Sequence, residues 1–265
     1  MSAMPLPQTP SFRLDGRCAL VTGGSKGIGL AAAAALVQAG ASVTIVARFA
    51  PELIAAHADL TGTSSQKNQK ISFQTLDVTD AGAVAACVVA QAASGLPFDI
   101  LVNNAGMNRP SALVDMKDAD FDAVMNVNVK AAFLVAREVV RALLAAGKGG
   151  SIINVSSQMG HVGGPKRTLY CASKHALEGM TKALAWELGS AGIRVNTICP
   201  TFIETELTKP LLVDPAFKEF VLAKIALGRL GRIEEVMGAI TFLASDASSL
   251  MTGSALMLDG GWTAT

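Results

Sequence analysis

The chain has 265 residues, 51% of them apolar and 16% charged, with a net charge of +1. That composition supplies a sizeable core and excludes a disordered chain. Its balanced charge offers no field for nucleic acid or a membrane surface. Four scattered cysteines, Cys18, Cys87, Cys171 and Cys199, lack CxxC spacing. They argue against a zinc site or a disulfide framework, and no metal is expected. Reduced thiols in a cytoplasmic protein fit better. No run of about 18 uninterrupted apolar residues predicts a membrane span. Residues 1–11 carry three prolines and no basic-then-apolar run; they read as a flexible arm, not a signal peptide, ahead of one domain over 12–265.

Arg17 to Thr22 reads as a strand that runs into the glycine turn Gly23 to Gly29. An alanine-rich helix follows, and Gly40 stops it. Ser42 to Ala47 is a second β-branched run, which completes a βαβ unit. Glycines in such a turn let the backbone approach a pyrophosphate at a helix N-terminus. The frame Gly27-x-Gly29-x-x-Ala32 fits the dinucleotide fingerprint in its alanine-ending form. Gly23-Gly24-Ser25-Lys26-Gly27 also satisfies GxSxG, the nucleophile elbow of hydrolases. That alternative needs an acid and then a histidine later in the chain. The last histidine, His175, directly follows Lys174, which disfavours it.

The second strand ends in Ala47-Arg48-Phe49, and no carboxylate follows until Glu52. An acid there would read the ribose 2′-hydroxyl of NAD, whereas arginine suits the 2′-phosphate of NADP. Arg48, with Lys26 from the glycine turn as a second cation, favours NADP(H) over NAD(H).

The alternation continues. A helix over Leu53–Leu60 precedes a third strand, Ile71–Leu76, which ends in Asp77-Val78. Thr79 or Asp80 caps a helix reaching about Ala93. Asp99–Val102 is a fourth strand, with Asn103-Asn104-Ala105-Gly106 at the edge where open α/β sheets bind ligands. A long helix is predicted over Ala119–Ala146. Asn126 and Asn128 inside it hint at an irregularity or a buried polar contact. Ser151–Val155 is a fifth strand ending in Ser156-Ser157. A loop over 158–167 leads to a helix running to Leu188. Ile193–Ile198 is a sixth strand, ending in Cys199-Pro200-Thr201. Residues 202–228, broken by Pro210 and Pro215, read as a substrate lid. A helix over Arg232–Ala244 and a strand over Ala255–Leu258 close the chain. Strands alternating with helices argue for a doubly wound parallel sheet in a single α/β domain.

Tyr170 is the only tyrosine, and Lys174 follows it by one helical turn. A free phenol titrates near pH 10, and a cation held close lowers that value. The pair therefore suits general acid/base work.

Thr22-Gly23-x-x-x-Gly27-x-Gly29, Asn103-Asn104-Ala105-Gly106, Asn128, Ser157 and Tyr170-x-x-x-Lys174 resemble the short-chain dehydrogenase/reductase family in order and spacing, over residues 15–262. The resemblance implies a Rossmann-type sheet of about seven strands. It implies Tyr170 as the acid/base, with Lys174 lowering its pKa and holding the nicotinamide ribose. Ser157 would bond the substrate oxygen, and Asn128 would position a water. For the cofactor it implies Gly23, Ser25, Lys26, Gly27, Ile28 and Gly29 at the phosphates, with Asp77 and Val78 at the adenine. Asn104, Ala105 and Gly106 would lie beside the ribose, and Pro200, Ile203 and Thr205 at the nicotinamide end. Asp259-Gly260-Gly261 resembles a signature of tetramer packing, so a homotetramer or homodimer is expected. One departure is Thr201, where the family usually has glycine.

The implied activity is hydride transfer between NADP(H) and a small-molecule carbonyl or secondary alcohol, of ketone, ketose/polyol or 3-oxoacyl type. The alternatives are an NAD(H)-dependent alcohol or polyol dehydrogenase and a non-catalytic nucleotide-binding regulator, which the intact tetrad speaks against. Met107, Arg109, Met159, His161 and Phe202 are the candidate substrate contacts. Lys166 and Arg167 are further candidates for the pocket or its rim, but read better as solvated loop cations.

Overall fold

The computed structural model describes residues 6–64, 68–206 and 208–264. Seven strands form one parallel sheet: β1 (Cys18–Thr22), β2 (Ser42–Ala47), β3 (Ile71–Thr75), β4 (Ile100–Asn103), β5 (Gly150–Val155), β6 (Ile193–Pro200) and β7 (Ala255–Leu258). Their spatial order is β3-β2-β1-β4-β5-β6-β7, so the winding reverses between β1 and β4. Two strand-to-helix loops diverge there and leave a crevice at the carboxyl edge.

Successive strand residues face opposite sides of the sheet, and both sides are covered. On one side Ala19 and Val21 of β1 pack with Leu36 of α1 (Gly27–Ala39) and Leu243 of α8 (Glu234–Ala244). On the other, Leu20 and Leu101 meet Val88 of α3 (Ala81–Ala93), Val139 of α5 (Ala131–Ala145) and Leu188 of α6 (Thr168–Leu188). The chain is a single Rossmann-type α/β domain.

Several boundaries differ from the sequence reading for physical reasons. The glycine turn itself forms the first turn of α1, which starts at Gly27 and ends on Gly40 at φ 111, the left-handed cap that glycine adopts most readily. Helix α2 (Ala50–Thr63) takes Pro51 into its first turn, where the missing N–H would be unpaired anyway. Asp80, not Thr79, caps α3, accepting from Gly82 N and Ala83 N. The long helix is not continuous. Helix α4 (Asp118–Met125) gives way to a π turn over Asn126–Lys130 before α5 resumes; such bulges gather at functional sites.

Within 202–228, a 3₁₀ turn over Lys209–Val213 precedes α7 (Pro215–Lys224), which Asp214 caps through Ala216 N. Residues 1–5 of the expected arm lie outside the described residues, and residues 6–11 are exposed without regular structure. Among the described residues no helix is long and apolar enough to cross a membrane.

Candidate active site

The crevice edge is stapled shut by side chains from β1 and β4. Thr22 Oγ1 accepts from Asn104 N at 3.0 Å and Ala105 N at 3.1 Å. Asn104 Nδ2 returns bonds to the carbonyls of Thr22 and Gly23, both at 3.0 Å. Gly23 and Gly27 take φ values of +61 and +56, and a methyl on Gly29 would overlap the Gly23 carbonyl oxygen and Asn104 Nδ2. Helix α1 begins with no side-chain cap and no acid in its first turn. Its N–H groups and dipole are left for an anion, which fits a dinucleotide pyrophosphate. Half-buried Ile28 packs onto the core behind the turn. The Thr205 methyl lies 4.0 Å from a Cβ placed on Gly27, so the residues after β6 reach the same turn. Ile203 is 4% exposed and pairs with Gly231.

At the adenosine end, Lys26 does not stand as a spare cation. Its Nζ is 2.9 Å from Glu52, and Ser25 Oγ donates to the same carboxylate at 3.0 Å. Lys26 and then Ser25 hold the Glu52 carboxyl below its usual range. Arg48 is exposed and lies over the Phe49 ring at 5.6 Å. Thr79, through its N–H and then its hydroxyl, lowers Asp77, and Arg48 adds to the effect. Val78 is 7% exposed beneath it.

Tyr170 and Lys174 stack on one face of α6, with the ammonium 5.5 Å from the ring centroid. Lys174 is buried, donates to the Val155 carbonyl at 2.8 Å, and is pulled by desolvation to a pKa of about 8. The expected lowering of Tyr170 is not seen in this state. Burial pushes the phenol up, and the Ser157 hydroxyl and then Arg167, not Lys174, oppose it. Ser157 Oγ donates to Gln158 Oε1 at 2.7 Å, accepts from Met159 N at 3.1 Å, and lies 3.5 Å from the Pro200 carbonyl.

Asn128 sits in the π turn, 2% exposed. It accepts from Met107 N at 2.8 Å and donates to Met107 O at 2.9 Å and Ser173 Oγ at 3.0 Å. The bulge thus clamps the β4 loop to α6, and the amide's donors are already used. A Cβ on Gly106 would lie 3.4 Å from Asn128 Oδ1 and 3.9 Å from Lys174 Nζ; glycine keeps the space beside the ammonium open. The Thr201 hydroxyl is buried without a partner.

A cavity of about 390 Å³ lies next to this constellation, within the usual range of roughly 300–1,000 Å³ for small-molecule sites. Met159 and Phe202 line it, together with Arg167, Phe217, Lys224 and Trp262. Met107, Arg109 and His161 do not. Arg109 pairs with Asp120 at 3.1 Å on the surface. His161 Nε2 turns to Cys199 Sγ at 3.4 Å and Glu178 at 3.5 Å. Glu178 also accepts from Cys199 Sγ at 3.3 Å and Thr197 Oγ1 at 3.1 Å. The ligand-type atoms of His161, Glu178 and Cys199 fall within 4.8 Å of one another, a grouping the spacing of the cysteines does not suggest. Burial pushes the Cys199 thiol up to about 12, which makes it inert as a nucleophile.

Arg167 was expected in solvent and is 7% exposed, whereas Lys166 is exposed as expected. Phe217, Lys224 and Trp262 come from distant segments and carry no local signal. Trp262 is one of only two tryptophans, which could have marked it.

Comparison with known proteins supplies the family. A model described as enoyl-(acyl carrier protein) reductase matches residues 23–263. Gluconate 5-dehydrogenase of Gluconobacter oxydans is 38% identical over 252 residues, 95% of this chain and 96% of that one. The 3-oxoacyl-(acyl-carrier-protein) reductase of Thermotoga maritima is 41% identical over 251 residues, 94% of this chain and 99% of that one. Among solved structures, a gluconate 5-dehydrogenase from Burkholderia cenocepacia, in complex with NADP and tartrate, aligns with a TM-score of 0.90 at 35% identity, covering 96% of this chain and 98% of that one. With that likeness over nearly its whole length, the chain belongs to the short-chain dehydrogenase/reductase family and is an NAD(P)-dependent oxidoreductase acting on CH–OH-type substrates.

Proposed function

We propose that the chain interconverts a small carbonyl compound and its secondary alcohol with NADP(H), with Tyr170 as the acid/base. The observation that carries this reading is the face of α6 on which a buried Lys174 lies one turn from a half-buried Tyr170. There Ser157 at the end of β5 interacts with the phenol.

The cofactor, when bound, supplies or accepts the hydride. The chain's own groups manage the rest. Tyr170, whose proton burial retains at neutral pH, donates it to the oxygen on which charge develops. Ser157 orients that oxygen by exchanging its bond to Gln158 for one to the substrate. Lys174 supplies positive charge beside the open space at Gly106. Asn128 holds the β4 loop against α6 so that these groups stay in register. Gly23, Ser25, Gly27, Ile28, Gly29, Asn104, Ala105 and Gly106 form the cradle, with Asp77 and Val78 at the adenine and Pro200, Ile203 and Thr205 at the nicotinamide end. Residues 202–228 would close over the substrate as a lid, with 1–11 as an arm ahead of the catalytic domain. A homotetramer in a reducing, cytoplasmic setting fits the four unpaired thiols and the uncovered helix faces described below.

NADP(H) is favoured because Arg48 follows β2 with no acid at position 47. The engagement of Lys26 by Glu52 removes the second cation from that argument and is the observation that favours the rival, an NAD(H)-dependent enzyme. Sugar-acid, polyol, ketose and 3-oxoacyl names occur among the relatives, so the substrate class is left to experiment. The test is a screen of ketones, ketoses, keto acids and 3-oxoacyl thioesters with NADPH and NADH, following cofactor absorbance. Saturable oxidation of NADPH by one class supports the reading; absence of turnover across all classes with both cofactors would refute it.

A further inference from the structure

The cavity beside the catalytic face contains a charge that nothing in the chain answers. Arg167 lines it and is 7% exposed. A guanidinium has five N–H donors, yet among the described residues no hydrogen bond or ion pair engages this one, and only the more distant Tyr170 and Cys171 act on it electrostatically. The chain treats its other inward arginine differently. Arg194 donates to Ser248 Oγ and to the carbonyls of Met251, Leu243 and Ser245 at 2.8–3.4 Å.

The wholly buried, unpartnered side-chain atoms are confined, among the described residues, to Asn103, Asn108, Ser156 and Thr201. The Arg167 nitrogens are therefore not fully sealed off, and the residue lines the cavity. Its lining holds two cations, Arg167 and Lys224, and no carboxylate. Phe202, Phe217 and Trp262 pack on one another at centroid distances of 5.8 and 6.0 Å, giving apolar walls in which a charge pair is less screened than in water. Just before Arg167, Lys166 has φ 59, the one positive value outside glycine among the described residues. Backbone of that kind persists where the surroundings enforce it, and it gathers at ligand sites.

We infer that the substrate carries one anionic group, a carboxylate or a phosphate, and that Arg167 is the residue that receives it. This rests on the carbonyl-reductase reading above. A partly buried cation without a counter-ion is unfavourable in the free protein, and an anionic ligand offsets that cost on binding. Guanidinium matches both oxyanions in a planar, two-pronged manner. Arg167 is the residue immediately before α6, three positions ahead of Tyr170, and the two are close enough to act on each other electrostatically. The anion and the reacting carbonyl then belong to a single small molecule, a few bonds apart.

Matched pairs decide it, with NADPH as reductant: acetoacetate against its methyl ester, 5-keto-D-gluconate against L-sorbose, and dihydroxyacetone phosphate against dihydroxyacetone. The ionised member of the carboxylate or the phosphate pairs should have the higher kcat/KM by about ten- to a hundredfold. Which pairs respond tells carboxylate from phosphate. Arg167→Met should bring that ratio near one, and Arg167→Lys should fall between. Equal turnover of both members by wild type overturns the anion subsite while leaving the reductase reading intact.

Thermal melts give a readout that needs no turnover. Arg167→Met should melt no lower than wild type without ligand, since it removes an unpaired charge. Excess tartrate or inorganic phosphate should raise the melting temperature of wild type saturated with NADP, but not that of the variant. A lower ligand-free melting temperature for Arg167→Met, or equal anion-induced shifts in both proteins, would mean that Arg167 only holds the loop. Loss of all turnover with these shifts intact would fault the reductase reading and not the subsite.

Discussion

Lys174 keeps a charge in a place where burial works against it, and its pKa of about 8 puts that charge within experimental reach. A lysine with a lowered pKa is cationic below that value and neutral above it. NADPH affinity should therefore hold steady between about pH 6 and 7, then weaken as pH rises past about 8, approaching tenfold per unit if the charge is required. Fluorescence titration of NADPH against wild type and Lys174→Met measures this. The variant should bind more weakly and lack the alkaline limb. Parallel profiles would show that Lys174 is not the titrating group. At this scale the proposed acid/base group was legible as a cluster, because Ser157, Tyr170 and Lys174 are tied to each other by strand end and helix spacing, which a linear pattern encodes. The pairing of Lys26 with Glu52 was not. Twenty-six residues separate them, and only the packing of α2 beside the glycine turn brings them together. The burial of Arg167 was missed for a related reason: its own loop supplies part of the cavity, but Phe217, Lys224 and Trp262 reach it from α7 and the C-terminus.

Elements set what those residues can do. The strands were readable from β-branched runs bounded by glycine and turn residues, and their number and parallel order follow from alternation with helices. The π turn was only hinted at by two asparagines in a helical stretch; its clamp on Met107 and Ser173 depends on which side of the helix meets α6. The end of β2 is where element and cofactor choice meet. Arg48 leaves the strand into solvent beside Asp77, so on the proposed NADP(H) reading one cation would face the 2′-phosphate. A charge-assisted contact of that kind contributes roughly 1.5–3 kcal/mol, about tenfold or more in affinity. Wild type should prefer NADPH to NADH by at least about tenfold in kcat/KM at fixed salt. Ala47→Asp with Arg48→Leu should reverse the order, because the new carboxylate accepts from a 2′-hydroxyl and repels a phosphate. An NADH preference in wild type would show that Glu52 and its neighbours, not Arg48, govern the ribose.

The whole molecule leaves large apolar groups uncovered on the helices away from the crevice. Trp186 on α6 is 91% exposed, and Leu144 and Phe133 on α5 are 52% and 44% exposed. Such faces are expected to be covered by association. Light scattering at micromolar concentration should give a mass near four times the 27.2 kDa of one chain, and a peak at the single-chain mass would contradict it.

The parallel sheet brings the glycine cradle, the α6 face and the cavity to one edge, where on the proposed mechanism hydride and proton would meet a single carbonyl. That convergence is tested most directly by Tyr170→Phe, which removes one hydroxyl and leaves the cradle intact. NADPH affinity should stay within about twofold of wild type, while kcat falls by about 10²- to 10⁴-fold on the best substrate. Retention of most of kcat in the phenylalanine variant would contradict the account.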